Sequence, residues 1–415
     1  MRAPALHRTL RGFCLGAFRV LCAELEGGAD LPFAFEEHGA VGRPSLYEYR
    51  PLVRPFVEER ASALAKRDDA RIALDELRRE QAAAIFARAH AGVARARSAD
   101  DALFASILLP LLVDTAETCG GFDWDDVAFD RAYEKLERSL FGDGHAYAAV
   151  APLVGISVGS QIELGDGIRV RVADPGELAR LWPEATGLLP QDFGRETDRT
   201  CVLELVRALA PGSSEAPDAP GELADAVAAL RLATAGPIAA GPVLFERLDW
   251  RPFGIRPVLP IAGTQPGGEP IRLDAFRGRL ASDLRSKLVA ADEDPELAEA
   301  LDRWELSLFQ GEPFRSEQLR ESLAALLGGA DGLWAAAMRA SVLLGESGRD
   351  RATLLDSLRS LVSGDQAGKI AEDAVRRALV EALAHGNRGR LVEALDESLL
   401  GIRPRPAGFY AAQAS

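Results

Sequence analysis

Lysine is nearly missing from this 415-residue chain. It stands at Lys66, Lys135, Lys287 and Lys369, so almost all positive charge is arginine. Arginine forks onto carboxylate or phosphate, but alanine and glycine are abundant too, and a GC-rich coding bias accounts for all three. Cysteine is scarce: Cys14, Cys22, Cys119 and Cys201 form no C-x-x-C pair. Four thiols in a chain this long make no disulfide framework, and a reducing cytoplasm fits them best. The five histidines, His7, His38, His90, His145 and His385, show no ligand spacing, so no metal site is expected. Long apolar runs are lacking. The best, Ile107 to Val113, contains Pro110 and falls short of the roughly 18 residues of a membrane span, so integral membrane association is not expected.

Several chemistries drop out with these absences. Gly364 to Lys369 has three residues between its glycines where a phosphate loop needs four, and Ile370 replaces Ser or Thr. Asp123, Asp125, Asp126 and Asp130 lack the glycine and terminal glutamate of a calcium loop; they charge and cap the helix that follows. No cofactor is expected.

What is present describes a globular protein. Apolar residues make up 47% and charged residues 27%, close to the norm for packed domains. The formal charge of -15 favours solubility and opposes a polyanion gripped by the whole surface.

At the N-terminus Leu6, Leu10, Phe13, Ala17 and Leu21 share one helical face, with Arg8, Arg11 and Arg19 opposite. Arg19 interrupts any secretory apolar core. The face suits docking on the protein's own core, with membrane-surface attachment as the alternative. Glu58 to His90 has no Gly or Pro and favours a long helix. Further helices are expected from about Asp101, broken near Pro110, and from Asp125 to Leu140.

The period then changes to two. Ile162 and Leu164, then Ile168, Val170 and Val172, flank Gly165-Asp166-Gly167, a hairpin signal. Asp174-Pro175-Gly176-Glu177 marks a helix start, extending to about Trp182. Pro211 to Gly221 reads as a loop and Leu223 to Thr234 as a helix. Gly236 to Pro270 reads as short edge strands, including Val243 to Phe245 and Val258 to Ile261. From about Asp294 apolar residues step by three or four in five or six short segments separated by glycines, the pattern of an antiparallel helical bundle. The expected fold is mainly α: a helical region at 1–150, a small mixed α/β module at 151–290, and a bundle at 291–405.

Three bundle segments carry a resemblance. Leu319-Arg-Glu-Ser-Leu-Ala-Ala-Leu-Leu327, Met338-Arg-Ala-Ser-Val-Leu-Leu-Gly345 and Leu358-Arg-Ser-Leu-Val-Ser-Gly364 follow the order of an Apea-like HEPN domain, which the chain resembles over about 295–400. Upstream, Pro152 to Gly155 and Leu164 to Gly167 resemble segments preceding the bundle in bacterial members. The resemblance implies a helical bundle, homodimerisation through it, and a place in bacterial conflict or stress. HEPN ribonucleases use an arginine and a histidine a few residues apart, without a metal; the pair moves a proton and holds a phosphate. Here Arg339, Arg359 and Ser360 match motif positions. Ser363-Gly364 stands where His-Gly is expected, and Ala324 takes the place of the acid.

The resemblance therefore implies a non-catalytic interaction or RNA-associated protein, with a second copy, another protein or RNA as partner. Two alternatives stay open. One is a ribonuclease pairing Arg359 or Arg377 with His385, though a histidine at a helix end before Asn387 also serves as a cap. The other is a scaffold docked to a membrane by the first helix. Nucleic-acid contact has one further hint: six arginines against four acids between Arg376 and Arg405, with Arg388 and Arg390 in an expected loop.

Overall fold

The computed structural model describes residues 3–38, 46–90, 98–142, 144–173, 177, 201–209, 217–241, 243–249, 251–257 and 269–408. The expected helix from Asp174, most of the Pro211–Gly221 loop and the Val258–Ile261 strand lie outside these residues.

The chain is mainly helical. The first helix, α1 (Pro4–Glu26), buries Leu6, Leu10, Phe13, Ala17 and Leu21 completely. They meet α4 (Asp68–Arg79) and the helices around it in an N-terminal apolar core. The apolar face of α1 is thus covered by the protein itself. A two-stranded hairpin, β1 (Phe33–His38) with β2 (Leu46–Pro51), follows it.

The single helix expected over Glu58–His90 is instead four pieces: α2 (Val53–Glu59), α3 (Ala61–Leu64), α4 and α5 (Gln81–His90). Arg67 and Glu80 are extended and end the runs. The reason lies in packing. Leu64, Leu74, Leu77 and Phe86 all reach the same core, whereas one straight helix of this span would be about 50 Å long and could not wrap it.

A second correction concerns Pro110. Helix α6 (Ala99–Leu103) passes through a wider π turn at Phe104–Leu108 directly into α7 (Leu109–Cys119), without a break. Pro110 has no N–H to donate, and the widened turn absorbs the missing ladder bond. By length and mean hydropathy of 1.5 the whole stretch could cross a membrane, but 61% of its most apolar window is buried inside the fold. Asp125 accepts from Val127 N and caps α8 (Asp126–Phe141), the role expected of this acidic run.

The sheet is antiparallel. Strands β3 (His145–Val154), β4 (Ile156–Val158), β5 (Ile162–Glu163), β6 (Ile168–Val172), β7 (Cys201–Leu209), β8 (Ala239–Ala240), β9 (Val243–Leu248), β10 (Arg251–Pro257) and β11 (Ile271–Leu273) follow in sequence. The main sheet has the order β10-β9-β3-β7-β6-β5, with β8 beside β3, and β4 pairs in parallel with β11. Val243–Leu248 is therefore an interior strand, not the expected edge. The hairpin at Gly165–Gly167 forms as its sequence requires. Ile162 faces Val170, and Gly167 has φ +67 with Val206 O where a Cβ would stand at 2.4 Å. Only glycine fits such a position.

One sheet face is apolar: Tyr147, Ala149, Ala151, Ile168, Val170, Leu203 and Leu205. It packs on α9 (Ala219–Thr234), and together they continue without interruption into the C-terminal helices. These are α10 (Ala275–Arg285), α11 (Val289–Glu293), α12 (Pro295–Ser307), α13 (Phe314–Leu327), α14 (Gly332–Leu344), α15 (Gly348–Ser363), α16 (Lys369–His385) and α17 (Arg388–Leu399). Side-chain caps set several starts: Asp294 for α12, a Ser347–Asp350 capping box for α15, and Asn387 for α17. Short connections fold α12 to α17 into a bundle. Arg388 and Arg390 open α17 rather than lying in a loop, because Asn387 Oδ1 accepts from Arg390 N and starts the helix there.

Candidate functional site

The motif positions can now be followed one by one. Arg339, on α14, is buried and engaged on every side. Its Nε and Nη2 donate to the two carboxylate oxygens of Asp396 on α17, at 2.7 and 2.9 Å. Nη1 donates to Leu327 O (2.8 Å) and Gly328 O (3.1 Å), the last carbonyls of α13, and Nη2 also reaches Asp331, at 2.5 Å. The hydrogen bond to Asp396 holds this guanidinium above its ordinary pKa against the opposing effect of burial. Arg339 ties three helix ends together and has no donor to offer a substrate.

Arg359 is the opposite case. It is 59% exposed on α15, pairs loosely with Asp356 at 3.8 Å, and lies over the Trp334 ring at 5.7 Å. Ser360 is exposed beside it, and Gly364 ends the helix in the left-handed conformation, φ +90. The segment from Gly364 to Lys369, whose spacing fails as a phosphate loop, is the turn that connects α15 to α16.

His385 closes α16. Gly386 beyond it is left-handed, and His385 Nδ1 lies 3.1 Å from Asn387 O. The imidazole therefore sits on the local backbone at a helix C-terminus. Arg377 lies eight residues earlier on the same helix, about 12 Å along its axis and about 80° around it, and makes no hydrogen bond to His385. Neither Arg359 nor Arg377 bonds His385.

A cavity of about 360 Å³ opens beside His385. Its walls are Leu343, Glu381, Ala384, Leu391 and the chain segment Pro406–Gly408. It is apolar with two titratable groups, Glu381 and His385, one helical turn apart. Among the described residues no arginine or lysine lines it.

Arg376, Arg388 and Arg405 of the C-terminal stretch donate into the fold, and Arg403 forms an exposed pair. Arg376 donates to Leu232 O and Asp373, and Arg388 to Asp294 and to the carbonyls of Ala325 and Leu326. Arg403 pairs with Glu397, and Arg405 donates to Leu343 O.

Two polar clusters were not singled out from the sequence. On the sheet face opposite the core, fully buried Glu204 accepts from Arg169 (2.7 Å), Arg171 (2.8 Å) and Arg247 (3.0 Å), and Arg171 also forks onto Glu177. Burial raises the Glu204 pKa, but Arg171 and Arg169 outweigh it and leave the group below its ordinary value. The signal was there: a lone acid in Cys201-Val-Leu-Glu-Leu-Val206 needs partners, and Arg169 and Arg171 share a face by alternation. The second cluster is Arg231 on α9 with Glu305 on α12, 3.0 Å apart and both buried. Burial raises the Glu305 pKa, and Arg231 offsets it only in part. Nothing in a helical apolar stripe announces that pair.

Among the described residues no group of three or more His, Cys, Asp or Glu is placed to hold a metal. No protein-family model, curated protein or solved structure matches this chain.

Proposed function

We infer that the chain is a non-catalytic interaction protein that self-associates through its C-terminal bundle. The observation that carries this reading is the fate of Arg339. One motif arginine is buried in five hydrogen bonds to Asp396, Asp331, Leu327 O and Gly328 O and serves as a strut; the other, Arg359, is exposed, with Asp356 and the Trp334 ring as its described contacts. His385 supports the same reading, since its described contact is a backbone carbonyl at a helix end.

The bundle surface also carries large exposed apolar side chains: Phe314, Trp334, Ile370, Leu400 and Ile402. Large exposed apolar side chains suit a protein contact better than a nucleic-acid contact. The strongly negative net charge and the internal pairing of Arg376, Arg388, Arg403 and Arg405 weigh against RNA as the main partner.

Sedimentation velocity of the full chain over a range of micromolar concentrations tests self-association. A sedimentation coefficient rising toward that of a dimer is the expected result. A monomer at all concentrations, together with salt-sensitive binding of a labelled single-stranded RNA, would replace this reading with RNA association.

A further inference from the structure

We draw no further inference here: the strongest candidate, the surface patch where Arg359 of α15 lies over the exposed Trp334 ring of α14, carries none because nothing in the structure shows what covers it.

Discussion

Arg339 and Asp396 lie 57 positions apart in sequence and meet as a two-pronged ion pair, Nε and Nη2 each on its own carboxylate oxygen at 2.7 and 2.9 Å. The pair joins α14 to α17, and the same guanidinium closes the end of α13 through two carbonyls. A residue that looks like part of a catalytic motif in the sequence is a clamp in the fold.

Replacing Arg339 by alanine removes those bonds and leaves the Leu327 and Gly328 carbonyls without their donor. Asp396 and Asp331 are partly exposed and can be rehydrated, so the loss is expected near 2–3 kcal/mol rather than the larger figure for a fully buried pair. Urea unfolding of Arg339→Ala against wild type checks it. Arg339→Lys is expected to recover only part, because one ammonium cannot serve Asp396 and both carbonyls at once.

The Arg231–Glu305 pair gives a pH-dependent outcome. Glu305 has its folded pKa raised by burial. The stability linked to a raised acid is fully present below its unfolded pKa and lost as pH rises through the folded pKa. Arg231→Met strands the Glu305 carboxylate and is expected to cost about 3–5 kcal/mol near pH 7.5. The gap to wild type narrows as the pH is lowered toward 5 and Glu305 takes up a proton. Replacing both residues with methionine removes the stranded charge and is expected to be far milder than the single change. Unfolding curves of the three chains at two pH values decide this.

Glu204 behaves in the reverse sense. Its folded pKa is lowered because Arg171 and Arg169 outweigh burial. Its contribution is present above the unfolded carboxylate pKa, about 4.3, and disappears as pH falls through the lower folded value. Glu204→Gln is expected to lose stability at neutral pH and to lose less further stability between pH 5 and pH 3 than wild type does. Acid titration followed by far-UV circular dichroism reads the difference.

Two glycines separate backbone need from chance. Gly167 has positive φ, and a Cβ there would strike Val206 O. Gly167→Ala is expected to destabilise by about 1–3 kcal/mol. Gly12 lies inside α1 with open space around it, so Gly12→Ala is expected to stabilise by about 0.5–1 kcal/mol. Thermal melts of both variants should move in opposite directions.

Local pattern made much of the fold readable. The period-two residues around Gly165–Gly167 announced the hairpin, and the leucine stripes after Asp294 announced the bundle helices. Glu58–His90 was not readable, because the breaks at Arg67 and Glu80 answer to a shared core rather than to propensity. Pro110 misled for the related reason that a π turn can absorb a proline. At the site, local sequence placed His385 at a helix end before Asn387. It did not reveal that Arg339 reaches Asp396, since that contact depends on how α14 and α17 pack.

RNA turnover reads whether an imidazole works beside a motif arginine. Purified full-length chain, in excess over end-labelled total RNA, is compared with Arg359→Ala and His385→Ala. The expected result is no cleavage above the buffer control, with all three chains identical. Cleavage by the wild type that either substitution abolishes would contradict the account.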